Sequence, residues 1–174
     1  YGNSDNQARQ EQCATAMFNK GITLGQLDPP QYKKEIATYD QLIDQYGSSD
    51  NSALQEQCAK AMVNKGTTFG QLDPPQYEKE IATYNQVIDQ YGNSDNPALQ
   101  KQCATGMVNK YITLGAVAPT QYKKEIATYD QLIDQYGNSD NSELQEQSAK
   151  AMENKGTPFG QLDPHNYEQE IATY

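Results

Sequence analysis

The stretch Ser49–Asn96, SDNSALQEQCAKAMVNKGTTFGQLDPPQYEKEIATYNQVIDQYGNSDN, closes on the tripeptide with which it opens. Asp50 or Asn51 offers a side-chain oxygen to the free N–H groups of a helix start. The residues from Ser52 to about Leu72 are predicted to form that helix, because Leu54, Cys58, Ala61, Met62, Phe69 and Leu72 fall on one stripe at spacings built from three and four. Asp73-Pro74-Pro75 then breaks it, since proline cannot continue a helix but can begin one. From Pro75 onward Tyr77, Ile81, Tyr84, Ile88 and Tyr91 recur at alternating steps of four and three, which predicts a second helix ended by Gly92. No run of alternating β-branched residues occurs anywhere, so the class is all-α, with one helix-turn-helix in this unit.

The unit is repeated. YGNSDN or YGSSDN begins at Tyr1, Tyr46, Tyr91 and Tyr136, a strict period of 45 residues, and the first two units agree at 35 of 45 positions. Such self-similarity signals an array in which each unit buries its apolar face against its neighbours. The expected organisation is one α-solenoid with repeats 1–45, 46–90, 91–135 and 136–174, the last shorter by the segment DQLIDQ. A longer rhythm overlies the short one. Thr15, Lys60, Thr105 and Lys150 alternate, as do Ile22, Thr67, Ile112 and Thr157, Leu24, Phe69, Leu114 and Phe159, and Lys33, Glu78, Lys123 and Glu168. The duplicated piece is therefore read as a pair of repeats. Twelve of the 13 tyrosines form three ladders that start at Tyr1, Tyr32 and Tyr39, and these read as packing residues with hydroxyls at a wet edge.

Composition narrows the function. The chain of 174 residues is 36% hydrophobic and carries a formal net charge of −10, which is polar for a globule with one central core. With 23 acidic against 13 basic residues and a single arginine, there is no basic patch to neutralise phosphates, which argues against nucleic acid and anionic membranes as partners. No apolar run approaches the roughly 18 residues of a spanning helix, and no signal peptide is apparent. The sequence does not specify a compartment.

At AMVNKGTTFGQL followed by YEKEIATYNQVI the chain resembles the tetratricopeptide repeat (TPR) family in a long-period form. Met62, Asn64, Gly66, Phe69, Tyr77 and Tyr84 carry the resemblance, which extends over all four units, each longer than the family's repeat of about 34 residues. It implies a right-handed stack of helix pairs and a non-enzymatic role in protein–protein interaction. It also implies that the concave face of the first helices holds an extended peptide. Asn19, Asn64, Asn109 and Asn154 would hydrogen-bond the peptide backbone there, an amide offering donor and acceptor together. Beside them would lie Thr15, Lys60, Thr105 and Lys150, and a variable row of Phe18, Val63, Val108 and Glu153. The alternative is that each Asn only bonds a neighbouring turn.

Two features depart from the family. Glu35, Glu80, Glu125 and Glu170 occupy a position where a small residue is usual, and Lys20, Lys65, Lys110 and Lys155 one where an apolar residue is usual. Either they pair within each repeat, offsetting the cost of a buried carboxylate, or a rotated second helix leaves both solvated. In the third unit Tyr111 replaces the NKG glycine, Gly106 is expected to make room for it, and the stack is expected to bend.

Catalysis and metal binding have little to build on. His165 is the only histidine, and one imidazole makes neither a triad nor a metal site. Cys13, Cys58 and Cys103, with Ser148 in the fourth place, read as small core residues. GNSDN lacks the oxygen spacing of a calcium loop and reads as a helix cap. No cofactor is expected. Two functions follow: a module that binds a peptide or partner protein in its groove, or a structural subunit whose stack continues from chain to chain as a filament, since neither end shows a polar capping helix. The filament reading would place the chain outside the cell. In it the Lys33/Glu78 alternation would help set register between units.

Overall fold

A computed structural model describes residues 2–117 and 122–162, with side chains described for 6–115, 117, 127, 128 and 130–152. The described residues form helices and turns without strands, in the order α1 (Gly2–Gly25), α2 (Tyr32–Tyr46), α3 (Ser52–Gly70), α4 (Tyr77–Tyr91), α5 (Pro97–Val117), α6 (Tyr122–Tyr136) and α7 (Ser142–Leu162). The all-α class is thus observed. The even-numbered helices open at Tyr32, Tyr77 and Tyr122, in step with the sequence period.

Helix starts follow the loop chemistry. Asn51 caps α3 by accepting from the N–H groups of Ala53 at 2.8 Å and Leu54 at 3.2 Å, while its own N–H donates to Ser49 Oγ at 3.2 Å. Asn96 and Asn141 repeat the arrangement, accepting from Ala98 N at 2.8 Å and Glu143 N at 3.0 Å. Each cap is worth about 1 kcal/mol. The second helix starts later than the proline suggests: Pro75 stays in the turn, Gln76 precedes the first helical residue, and no side chain caps it. Gly92 ends α4 in a right-handed conformation, its N–H donating to Ile88 O at 2.8 Å.

Each helix packs on the next, and in addition α1 packs on α3, α3 on α5 and α5 on α7. The even-numbered helices connect through glutamine side chains at their ends. Gln90 Nε2 donates to Gly47 O at 2.9 Å, and Gln135 Nε2 donates in the same way to Gly92 O. The core forms from matching positions: Leu54, Leu99 and Leu144 at the starts of odd helices, Leu42, Val87 and Leu132 in even ones, all at most 1% exposed. Fully burying a side chain of this size stabilises by roughly 1.5–3 kcal/mol. Tyr39, Tyr46, Tyr84, Tyr91 and Tyr136 are buried with them.

Candidate interaction surface

Within the asparagine ladder, Asn64 bridges two helices. Asn64 of α3 is half-buried and donates from Nδ2 to the Tyr39 hydroxyl of α2 at 3.3 Å. Asn109 of α5 lies in the corresponding place beside the Tyr84 hydroxyl of α4 and, like Asn64 at Tyr39, favours the charged form of that phenol slightly. Asn19 is exposed, and the side chain of Asn154 lies outside those described. A primary amide has two N–H groups and an oxygen. Asn64 therefore keeps one N–H and its oxygen after bonding Tyr39.

The variable row is in part a packing row. Phe18 is half-buried with its ring centroid 6.1 Å from that of Tyr39. Val63 is 5% exposed and belongs to the core that Val108 packs against. Val63 was expected on an open face; its side chain instead belongs to the same buried cluster as Val87 and Ile88. Lys60 pairs with Glu56 at 3.8 Å and Lys150 with Glu146 at 2.6 Å, each one turn away on its own helix. Pairs of this kind at the surface add little to stability and leave the ammonium groups accessible. The Glu153 side chain lies outside those described. Lys33 and Glu78 make no ion pair with each other among the described residues.

Among the described residues, neither expected arrangement of the lysines and glutamates occurs. Lys65 reaches Asp40 of the preceding helix at 2.5 Å, and its ammonium lies 5.9 Å from the centre of the Phe69 ring, with Lys79 at 5.7 Å. Glu35 and Glu80 are buried, 7% and 8% exposed, without a basic partner among the described residues. The Tyr84 hydroxyl donates to Glu80 Oε1 at 3.1 Å, and Gly70 leaves the space that the other oxygen occupies: a Cβ there would stand 2.5 Å from Oε2. Thr68 from α3 meets Glu35, and Thr113 from α5 meets Glu80. Burial raises the pKa of both carboxyls, and the neighbouring hydroxyls lower it by less. Each threonine already donates its one proton to a backbone carbonyl, Asn64 O at 2.8 Å and Asn109 O at 2.9 Å. Glu35 Oε2 is buried without a hydrogen-bond partner among the described residues, which disfavours a charge on that carboxyl.

Thus Glu35, Tyr39, Asn64 and Thr68 form one polar junction, and Glu80, Tyr84, Asn109 and Thr113 form its copy. Reading each ladder alone hides this. The signal was present in the constant offset of 25 residues from Tyr39 to Asn64 and from Tyr84 to Asn109.

The helix α1 exposes a face that is covered elsewhere. Cys58 and Cys103 are fully buried, their thiols directed at Leu42 O at 3.8 Å and Val87 O at 3.5 Å, whereas Cys13 is exposed. The expectation of a core role for Cys13 is corrected, because among the described residues no helix lies where α2 covers α3. Ala16 and Thr23 are likewise exposed, against Ala61 and Thr68 buried.

The third unit differs through a cavity of about 580 Å³ between α4, α5 and α6. Gly106 makes room for α4: a Cβ there would stand 3.1 Å from Val87 Cγ1. Its expected role beside Tyr111 is corrected accordingly, and Tyr111 packs against the main core on its own account. Among the described residues no group of three His, Cys, Asp or Glu side chains is placed to hold a metal, and no helix is long and apolar enough to cross a membrane. His165 lies outside the described residues. No protein-family model, no characterised protein and no solved structure matches the chain.

Proposed function

We propose that this chain is a non-enzymatic interaction module: a right-handed α-solenoid of TPR-like repeats that holds a peptide or partner protein on the concave face of its first helices. The observation that supports it is the succession of contacts α1 on α3, α3 on α5 and α5 on α7. A continuous face made of first helices requires that succession. On it Lys60 is accessible, and Asn64 keeps donor and acceptor capacity. The partner is a peptide or protein; the acidic composition disfavours nucleic acid. The test is selection of peptides from a random display library on the immobilised chain. Binders are expected to lose affinity on Lys60→Glu and Thr105→Glu and to keep it on Gln86→Ala in α4. A library without binders sensitive to the two odd-helix changes would refute the groove.

The outer face of α1 favours a second reading, a structural subunit that assembles head to tail. Its Cys13, Ala16, Asn19 and Thr23 repeat a surface that α2 and α4 cover on α3 and α5, so a helix of the α2 kind from another chain fits it. Arg9, in the place of the buried Leu54 and Leu99, weakens the apolar match. Sedimentation velocity over a dilution series, with electron microscopy of the same sample, tests it: a monomer at every concentration removes this reading.

A further inference from the structure

Two neighbouring units solve the same packing problem differently. In the second unit the Phe69 ring is 9% exposed, Lys79 of α4 lies 5.7 Å from its centre, and Lys65 over the same ring is held by Asp40 at 2.5 Å. One repeat later the three corresponding residues are Leu114, Lys110 and Asn85. The ring has become a smaller aliphatic group and the carboxylate a neutral amide. The cavity of about 580 Å³ lies at this place, walled by Ile81, Asn85, Lys110, Leu114 and Val117, of which Val117 is 44% exposed. Its size is that of small-ligand pockets. Lys110 is half-buried and has no ion pair among the described residues.

We propose that this cavity binds an aromatic group that carries a carboxylate, the ring against Leu114 and Val117 and the carboxylate on the Lys110 ammonium. The ligand thus supplies the two groups that Phe69 and Asp40 supply within the chain one repeat earlier. Burial lowers the Lys110 pKa, with Asp89 partly offsetting this, so an arriving anion meets an ammonium short of compensation. Glu78 also borders the cavity, where the preceding unit has Lys33. It repels a carboxylate and so turns it toward Lys110. The inference needs only the three helices around the cavity and does not depend on the groove of the first helices.

The experiment is an NMR titration of the full chain with N-acetylphenylalanine, its amide, and a hexapeptide ending in phenylalanine. The acid is expected to shift the Lys110, Leu114 and Val117 resonances and to bind at least about tenfold more tightly than the amide, as loss of one charge-assisted contact implies. Lys110→Gln should abolish that preference. Glu78→Lys should strengthen binding of the acid. Leu114→Phe, which refills the cavity as in the preceding unit, should weaken binding of the acid at least about tenfold. Tighter binding of the hexapeptide than of the single residue would assign the ligand to peptide termini, and equal binding to small aromatic acids. Equal affinity for acid and amide, or unmoved resonances at the three residues, would overturn the proposal, while display binders sensitive to Lys60→Glu would leave the groove reading standing.

Discussion

The ring of Tyr84 lies against the backbone of Gly66: a Cβ on that glycine would stand 2.5 Å from the ring carbon Cε1. Tyr84 is 1% exposed and tied to Glu80 and Thr67, so it has no room to retreat. Gly66→Ala is therefore expected to destabilise the fold by about 1–3 kcal/mol, the usual cost of overpacking. Urea denaturation followed by circular dichroism measures it. A change under about 0.5 kcal/mol, the range of surface substitutions, would mean the contact is looser than described.

The two buried carboxyls make stability depend on pH. Their folded-state pKa values are raised above the ordinary 4.5, so the folded chain binds these protons more tightly than the unfolded one. The resulting stabilisation is fully present below the ordinary value and is lost as the pH rises through the raised ones. The double variant Glu35→Gln, Glu80→Gln removes both titrating groups and keeps an acceptor for tyrosine. Its melting temperature is expected to match that of the unsubstituted chain at pH 4 and to exceed it at pH 7. Parallel melting curves for both proteins across that range would contradict the assignment.

Thiol reactivity separates the cysteines. Burial raises the Cys58 and Cys103 thiols to about 11, which leaves them protonated and covered at pH 8, whereas Cys13 is exposed. A thiol-reactive disulfide reagent should therefore modify one group rapidly and the other two only on unfolding. Slow modification of all three at high protein concentration, reversed on dilution, would show Cys13 covered by another chain.

The Tyr39–Asn64 bond admits a double-mutant cycle. Tyr39→Phe and Asn64→Ala are each expected to cost about 0.5–1.5 kcal/mol, the range of a single hydrogen bond, and the double variant less than their sum. Additive losses would mean the bond at 3.3 Å contributes nothing.

Much of the local structure was legible in the chain itself. The spacing of Leu54, Cys58 and Met62, and of Tyr77, Ile81 and Tyr84, dictates two helices per unit, because only one periodicity places those residues on a common stripe. Asn51 and the Asp-Pro-Pro turn set the breaks through backbone chemistry that acts within a few residues. Partners across helices were not legible, since a side chain's neighbour depends on how two helices are rotated against each other. Lys65 was expected to pair with Glu80 or with water; the packing turns it to Asp40, and Glu80 faces Tyr84 and Thr113. Asn64 looked like a surface ligand and is also a cross-link to Tyr39. Cys13, Cys58 and Cys103 hold the same position in successive repeats, yet only the presence of α2 and α4 buries the latter two. The period by itself determined the helices, their caps and the residue types on each face. Tertiary contact alone decided which copies of a repeated residue are covered, because burial belongs to a pair of surfaces and each sequence position describes only one of them.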